Sequence, residues 1–415
     1  MDLKKDGRIL YISSVDISIG NGPGVNEREF VLGLHAALGG RAHFLVPKPE
    51  HTVSELPAEI CTYSLPHRRH HPLLYPAHIL SQVLAANRLL DGQRFDLIVF
   101  RLDLLPLAPF LITRGHRIPY ALKTLGQGMI NTLNERMGLF GRALGSINLR
   151  LARRLLEGAI LADSVSQAQV EYLREVLGVD DPEKIIWIDN AVNTGRFQPV
   201  PAAQARLARG LERFNPIAGY VGTRPWERGA SQLIEAAPRL LRSFPDLGIV
   251  VLGDGSGVDS LKHRAAELGV AEHCIFTGYV PFEQVPSYIN SLDVGVSINL
   301  RADRSAASEL KVRQYLACGR PVVLSPGSND FVVEHGLGSL VQPTDQDGIA
   351  AALEEWLSLP PQAREQFSAM SSRYVREHLS VEAAIDRRLV LWSEQLPGPA
   401  AAAFRVRADG WNDAG

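Results

Sequence analysis

Cysteine is scarce in this 415-residue chain: Cys61, Cys274 and Cys318 stand far apart, share no CxxC spacing and lie in or beside apolar runs. A disulfide framework is therefore not expected, and the three read as small hydrophobes of a reducing compartment. Charge of one sign is missing as well. With 43 Lys and Arg against 45 Asp and Glu, the formal net charge is -2, so nothing in the overall balance calls for nucleic acid or an acidic polymer, and any basic surface must be local. No window approaches the roughly 18 unbroken apolar residues of a membrane span. The start, Met1-Asp2-Leu3-Lys4-Lys5-Asp6, leads into a strand at 8–14 without a signal core or cleavage site, which makes a cytoplasmic protein the expectation. There is no Asp-x-Asp run suited to a divalent cation near a strand end and no HExxH among the 12 histidines, so no metal is expected.

What is present is an alternation of short apolar runs and longer helical patterns. Strands are expected at 9–12, 43–46, 97–100, 120–124, 159–161, 185–188, 218–221, 248–252, 274–276, 294–298 and 321–324. Several are apolar without alternation, as in strands covered on both faces, and their order implies parallel sheets with crossover helices. Helices fit 27–38, with Phe30, Leu34 and Leu38 on one face, and 230–244, with Leu233, Ala237, Leu240 and Leu241. The length suits two domains. The stretch Gln198-Pro199-Val200-Pro201-Ala202-Ala203, followed by Asn215-Pro216, marks a linker at 197–216. Residues 395–415 carry too little patterned apolar content for an element and read as a frayed tail.

The richest segment is 308–325. Ser308, Glu309, Leu310, Lys311 and Gln314 open a helix, Tyr315, Leu316 and Ala317 add apolar contacts, and Gly319 and Pro321 end it before Val322-Val323-Leu324. A polar helix start above a strand's carboxyl end suits a phosphate; the plain alternative is a solvated helix face. Gly20-Asn21-Gly22-Pro23-Gly24 follows the first strand and could bring backbone N–H groups to an anion or a sugar, or be only a turn. In the second half Gly222-Thr223-Arg224-Pro225-Trp226-Glu227-Arg228-Gly229 sets two arginines on a strand-to-helix loop, where forked contacts to phosphate are available. Gly253-Asp254-Gly255 and Gly278-Tyr279-Val280-Pro281 end two further strands in turns that could read a base and its ribose.

In order and spacing these segments, with Arg28-Glu29-Phe30, Ile118-Pro119-Tyr120, the run 188–199 and Leu316 to Val323, resemble the GT-B glycosyltransferases, specifically the retaining, nucleotide-sugar-dependent family 4 (group 1), over nearly the whole chain. The resemblance implies an α/β fold of two Rossmann-like domains with parallel sheets facing across a cleft. Its boundaries would be an acceptor domain at 1–197, completed by a helix at about 375–395, a donor domain at 198–374 and a tail at 396–415. It further implies that Arg228 and Lys311 neutralise the donor diphosphate, that the backbone at Ser308, Glu309 and Leu310 caps it, that Gly22, Gly24, Thr223, Arg224, Gly253 and Asp254 line the donor site, and that Tyr279 and Val280 hold the base. Gln314 stands where the family's second glutamate grips the ribose.

The departures are Ala306 and Gln314 in place of two glutamates, Thr223 in place of a basic residue, and Thr124-Leu125-Gly126-Gln127-Gly128 where relatives carry a histidine. An amide can still bond ribose hydroxyls, and one bacterial glucuronosyltransferase has a similar Lys and Gln arrangement. The implied reaction moves a sugar from a nucleotide-diphosphate sugar, UDP favoured over GDP, to a glycan, lipid-linked or small-molecule acceptor, without metal or other cofactor and with retention. An inverting reaction would need a base from Asp16, Glu27 or Asp103. Two basic segments, 66–72 and the arginine-rich amphipathic run 136–154, could meet a lipid-linked acceptor or the inner membrane surface, or be a solvated loop and a core-facing helix. The alternatives are a GT-B nucleotide-sugar epimerase and a catalytically silent nucleotide-sugar binding or scaffold protein.

Overall fold

The computed structural model describes residues 7–20, 22–51, 56–63, 75–102, 106–123, 138–179, 181, 183–255, 257–300, 309–327, 329 and 331–396. The chain forms two compact units, one from Met1–Asn190 with Val381–Gly415 and one from Ala191–Ser380. No described helix is long and apolar enough to cross a membrane.

The first unit is built on β1 (Ile9–Ile12), β2 (Ala42–Pro47), β3 (Ile60–Tyr63), β4 (Leu97–Arg101), β5 (Tyr120–Lys123), β6 (Ala162–Ser164) and β7 (Ile185–Trp187), joined in the order β3-β2-β1-β4-β5-β6-β7. Every pair is parallel. Its helices are α1 (Gly22–Leu38), α2 (Tyr75–Gly92), α3 (Leu107–Gly115), α4 (Gly138–Gly158) and α5 (Gln167–Leu177). Leu10, Ile12, Ile98, Phe100 and Leu122 of one sheet face share a core with Leu90 of α2, Ile112 of α3, Leu155 and Leu156 of α4 and Val170 of α5, so these helices cover the same side. The C-terminal helix, Val381–Gln395, packs on α1 of this unit, and a Cβ added at Gly33 would collide with Val381.

The second unit holds β8 (Ile217–Val221), β9 (Gly248–Leu252), β10 (Cys274–Gly278), β11 (Val294–Ser297), β12 (Val322–Leu324) and β13 (Gly338–Leu340), in the order β10-β9-β8-β11-β12-β13, again parallel throughout. Along each strand alternate residues enter different cores. Ile217 and Val221 lie in one with Val250, Leu252 and Val322; Ala218 and Tyr220 lie in the other with Ile249, Val251 and Val323. Both faces are covered, which is why these strands read as unbroken apolar runs. Helices α6 (Ala202–Leu207), α7 (Ala230–Ser243), α8 (Val258–Glu267), α9 (Val285–Ser291), α10 (Leu310–Ala317), α11 (Phe331–Glu334), α12 (Gln346–Leu357) and α13 (Pro361–His378) belong here, with a 3-10 turn at Pro225–Arg228.

Four expectations change. Residues 159–161, expected as a strand, are the turn between α4 and β6, where the Ala159 N–H still donates to Leu155 O; the strand that follows carries Asp163 and Ser164, polar residues that its pattern conceals. The proline-rich stretch 197–216 is no linker: Phe197, Leu211 and Phe214 enter a core of the second unit, and Arg206 donates to Asp293 at 2.5 Å. The division falls at Asn190/Ala191 rather than 197/198, because Val192 already bonds to Leu379 of the second unit. Finally, Gly22 and Gly24 are the first turn of α1 rather than a loop before it, with Pro23 at a position where its missing N–H costs nothing. The tail beyond 396 lies outside the described residues.

Candidate functional site

In the second unit the carboxyl ends of β8, β9 and β10 close in three glycines. The Gly222 N–H donates to Leu252 O at 2.9 Å and the Gly253 N–H to Gly278 O at 3.2 Å. All three have positive φ, and a Cβ at Gly253 would strike the Gly222 carbonyl, so side chains are excluded where these turns meet. Thr223 and Arg224 follow, both exposed; Arg224 takes a left-handed backbone (φ 57), and the Thr223 carbonyl accepts the Tyr220 hydroxyl at 2.8 Å.

The turn Pro225–Arg228 is then stitched to the segment after β11. Ile298 N–H donates to Arg228 O at 3.2 Å and Leu300 N–H to Glu227 O at 3.0 Å. Gly229 has φ 120, and a Cβ there would lie 2.8 Å from Ile298 N. The approach that fixes Arg228 thus requires glycine at 229.

From the other side comes the start of α10. Glu309 is its N-cap residue, yet its side chain caps nothing. Instead the carboxylate accepts from Arg228 Nη1 at 2.8 Å and from the Ser297 hydroxyl, and lies 3.8 Å from Lys311 Nζ. The Lys311 ammonium sits 4.2 Å over the Tyr220 ring, a cation–π contact. Tyr315 completes the floor: its hydroxyl accepts from Val221 N–H at 2.8 Å and donates to Val296 O at 3.4 Å, and Gly295 leaves room for its ring. The arrangement is two cations, one carboxylate and two tyrosines at the carboxyl ends of β8 and β11, where open α/β sheets place ligands.

Burial is the first influence on Lys311 and on Glu309. It lowers the Lys311 pKa to about 8, with Glu309 opposing the drop and Arg228 and Arg224 adding to it. Burial alone would raise the Glu309 carboxyl, but Lys311, the Ser297 hydroxyl and Arg228 outweigh it and hold the group below its ordinary range. The site is therefore a cluster of two cations around one resident anion.

Arg228, Lys311, Glu309, Leu310, Thr223, Arg224, Gly253 and Asp254 fall on this group of strand ends and adjoining turns. Asp254 is exposed and turned onto its own loop, accepting from Gly255 N–H at 2.7 Å. Tyr279 is 71% exposed directly after β10, and Val280 packs against the core. Gln314 is buried on α10. Ser308 and Ala306 lie outside the described residues, as do Asp103 and the segment 66–72. Gly22 and Gly24 belong to the first unit. Sequence reasoning gave Glu309 only a backbone role and missed Ser297 and Tyr220. The signal for Ser297 was a hydroxyl interrupting the apolar run 294–298. The run Asp345-Gln346-Asp347 is a helix cap: Asp345 Oδ1 accepts from Gly348 N–H at 2.9 Å and Asp347 pairs with Arg239 at 2.9 Å.

The first unit has its own buried charges. Arg101, Lys123 and Asp163 are in register across β4, β5 and β6. Glu27 of α1 pairs with Arg101 and lies 3.6 Å from Lys123, whose ammonium is 4.1 Å from the Phe30 ring centre; Arg388 of the C-terminal helix holds both Asp163 oxygens, at 3.3 and 2.7 Å. Burial lowers the Lys123 pKa to about 8. Glu27 is thus committed to holding this unit together. Asp16 likewise accepts from Ser18 N–H at 2.8 Å, the Ser18 hydroxyl at 2.7 Å and Glu50 N–H at 3.2 Å.

Residues 208–373, which include Arg228, Glu309 and Lys311, match the family of glycosyl transferases group 1. A GDP-mannose-dependent alpha-(1-6)-phosphatidylinositol monomannoside mannosyltransferase from Mycolicibacterium smegmatis is 34% identical over 182 residues, 41% of this chain and 47% of the relative. A D-inositol 3-phosphate glycosyltransferase from Segniliparus rotundus is 27% identical over 275 residues, 64% of this chain and 60% of the relative. The chain thus spans about half the length of the first of these curated relatives and somewhat more of the second. Among solved structures, a sucrose-phosphate synthase from Thermosynechococcus elongatus superposes with a TM-score of 0.70 at 20% identity, covering 93% of this chain and 98% of that one. Anabaena HepE in complex with UDP-glucose does so with 0.65 at 16%, covering 92% and 99%. These last likenesses establish the fold. The two sheets thus have the GT-B fold of these solved structures, and the segment 208–373 is similar to the glycosyl transferases of group 1.

Proposed function

We propose that the protein is a glycosyltransferase that moves a sugar from a nucleoside diphosphate sugar to a glycan, lipid-linked or small-molecule acceptor, with retention and without a metal ion. The observation that carries the reading is the pairing of Arg228 and Lys311 around a single carboxylate at the carboxyl ends of β8 and β11. A departing nucleoside diphosphate develops negative charge, and preorganised cations stabilise it most in a site shielded from water. Arg228 offers a fork for phosphate oxygens, and Lys311 a point charge supported by the Tyr220 ring.

In the reaction the bond between the anomeric carbon and the phosphate oxygen breaks, and a bond from that carbon to an acceptor hydroxyl oxygen forms. The hydroxyl proton passes to the departing phosphate oxygen on the same face. No carboxylate base is used, in keeping with the structural engagement of Asp16 and Glu27. Tyr279, exposed beside the glycine turns, would stack on the base.

The test is nucleotide release from purified protein supplied with UDP-sugars in one arm and GDP-sugars in the other. Both arms are needed, because HepE was solved with UDP-glucose while the mycobacterial relative is GDP-mannose-dependent. Release accelerated by a lipid or glycan acceptor, with the anomeric configuration of the donor kept in the product, supports the reading. Tight donor binding without turnover on any acceptor would instead support a silent nucleotide-sugar binding protein.

A further inference from the structure

The first unit carries a surface of its own on its helices. Helix α3 packs against both α2 and α4, and all three send their inner sides into the same core, so their outer sides form one layer open to solvent. That layer holds Leu80 (58% exposed) and Leu84 (49%) on α2, Leu111 (49%) on α3 and Ile147 (45%) on α4. Isolated exposed leucines need no explanation. These four are not isolated: Leu80 and Leu84 are one turn apart on a single helix, and the other two lie on the helices next in the layer.

The charges around them are mostly basic. Arg88 continues the stripe of Leu80 and Leu84, Arg114 stands one turn after Leu111, and Arg150 and Arg154 continue the stripe of Ile147, all exposed; Arg117 and Arg153 are exposed beside them. Arg153 pairs with Glu157 at 3.0 Å, and Asp91 is the other exposed acid of these helices. In a chain of formal net charge -2 this is a concentrated basic patch.

We infer that the α2–α3–α4 face docks the protein on an anionic phospholipid surface, its leucines entering the headgroup boundary and its arginines meeting lipid phosphates. An apolar row framed by guanidinium groups is what an interfacial surface requires, since the apolar contact and the electrostatic attraction add. Arginine suits the role because its fork pairs with phosphate oxygens. The attachment inferred is of this face to the bilayer surface; no described helix is long and apolar enough to cross a membrane. The inference stands independently of sugar transfer, although it would bring the protein to lipid-linked acceptors.

The experiment is co-sedimentation of the full chain with vesicles of phosphatidylcholine alone and of phosphatidylcholine mixed with phosphatidylglycerol. Binding to the mixed vesicles should exceed binding to the neutral ones at least tenfold and fall with salt. An Arg114→Ser, Arg150→Ser, Arg154→Ser variant should lose about fivefold per arginine near the surface. A Leu80→Ser, Leu84→Ser, Leu111→Ser variant, unchanged in net charge, should lose at least tenfold, while an unaltered thermal midpoint shows that neither variant has unfolded. Equal binding to both vesicles, no binding to either, or full binding by the leucine variant overturns the inference. So does a wild-type dimer that the leucine variant converts to monomer, because the face would then belong to a second copy of the chain.

Discussion

Arg228 and Glu309, 81 residues apart in the chain, meet at 2.8 Å, and the same carboxylate lies 3.8 Å from Lys311. The cations assigned to a diphosphate therefore already face an anion. Without it, two positive groups, 19% and 12% exposed, would stand together with little solvent to separate them. Glu309 offsets both charges, and in the function proposed above its carboxylate would stand beside the donor phosphates.

The first prediction concerns that carboxylate. Glu309→Gln keeps the shape and removes the charge, leaving Arg228 and Lys311 without a counter-anion. Stability should fall by about 2–3 kcal/mol, as when one partner of a largely buried pair is lost. Binding of UDP or GDP, whichever the protein accepts, should tighten about tenfold or more, since a negative charge no longer sits beside the phosphates. Calorimetric titration and thermal unfolding read the two effects; weaker binding by the variant would show that Glu309 holds the cations without competing for them.

Loss of Arg228 should act on turnover. Charge-assisted bonds contribute about 1.5–3 kcal/mol, so Arg228→Ala should cost roughly 10- to 150-fold in kcat/KM. Most of the loss should appear in kcat, because charge grows on the diphosphate in the transition state. Arg228→Lys should recover part of it, limited by the missing fork. Steady-state kinetics with varied donor tests this, and an unchanged rate and affinity would remove Arg228 from the site.

Lys311 should give donor binding a pH limb. With its pKa lowered to about 8, the ammonium is charged below that value and neutral above it, so affinity for a nucleoside diphosphate should be full below pH 8 and decline above. Lys311→Arg should erase the decline, because guanidinium stays charged. Stability carries the opposite sign. The buried lysine costs the native state most below about 8; between 8 and the ordinary 10.5 the unfolded chain holds the proton that the native chain has lost, so this group's contribution improves with rising pH. Lys123 has the same lowered value in the first unit, so a stability profile mixes the two and only the binding profile isolates Lys311.

Much of this was legible in the sequence, and the remainder failed for physical reasons. Strands β8, β9, β11 and β12 announced themselves because both faces are buried. The edge strands β3 and β13 did not, since Ile60–Tyr63 and Gly338–Leu340 are mostly half-exposed and their composition is mixed. Strand β6 hid behind Asp163, a charged residue that is buried only because Arg388 arrives from the far end of the chain. The site followed the same division. Glycine turns, a helix start and two cations have local signatures, whereas the contact between Glu309 and Arg228 depends on how β8 and β11 lie side by side. At the start of α10 the Glu309 carboxylate caps nothing and turns to the neighbouring loop instead, which no local pattern announces.

The Arg388–Asp163 contact supplies the last prediction. Arg388 bonds both carboxylate oxygens, donates to Ala384 O at 3.2 Å and lies 5.4 Å from the centre of the Phe30 ring, all within the first unit. Arg388→Met should strand a buried carboxylate and cost about 3–5 kcal/mol, with residues 381–395 losing hydrogen-exchange protection first. Adding Asp163→Asn should return much of the loss, since the second change removes the unpaired charge that the first created. The second unit has its own cores, so amides of β8 and β9 should exchange as before in both variants. An unchanged denaturation midpoint for Arg388→Met would mean that apolar packing of the C-terminal helix on α1, not the ion pair, holds it in place.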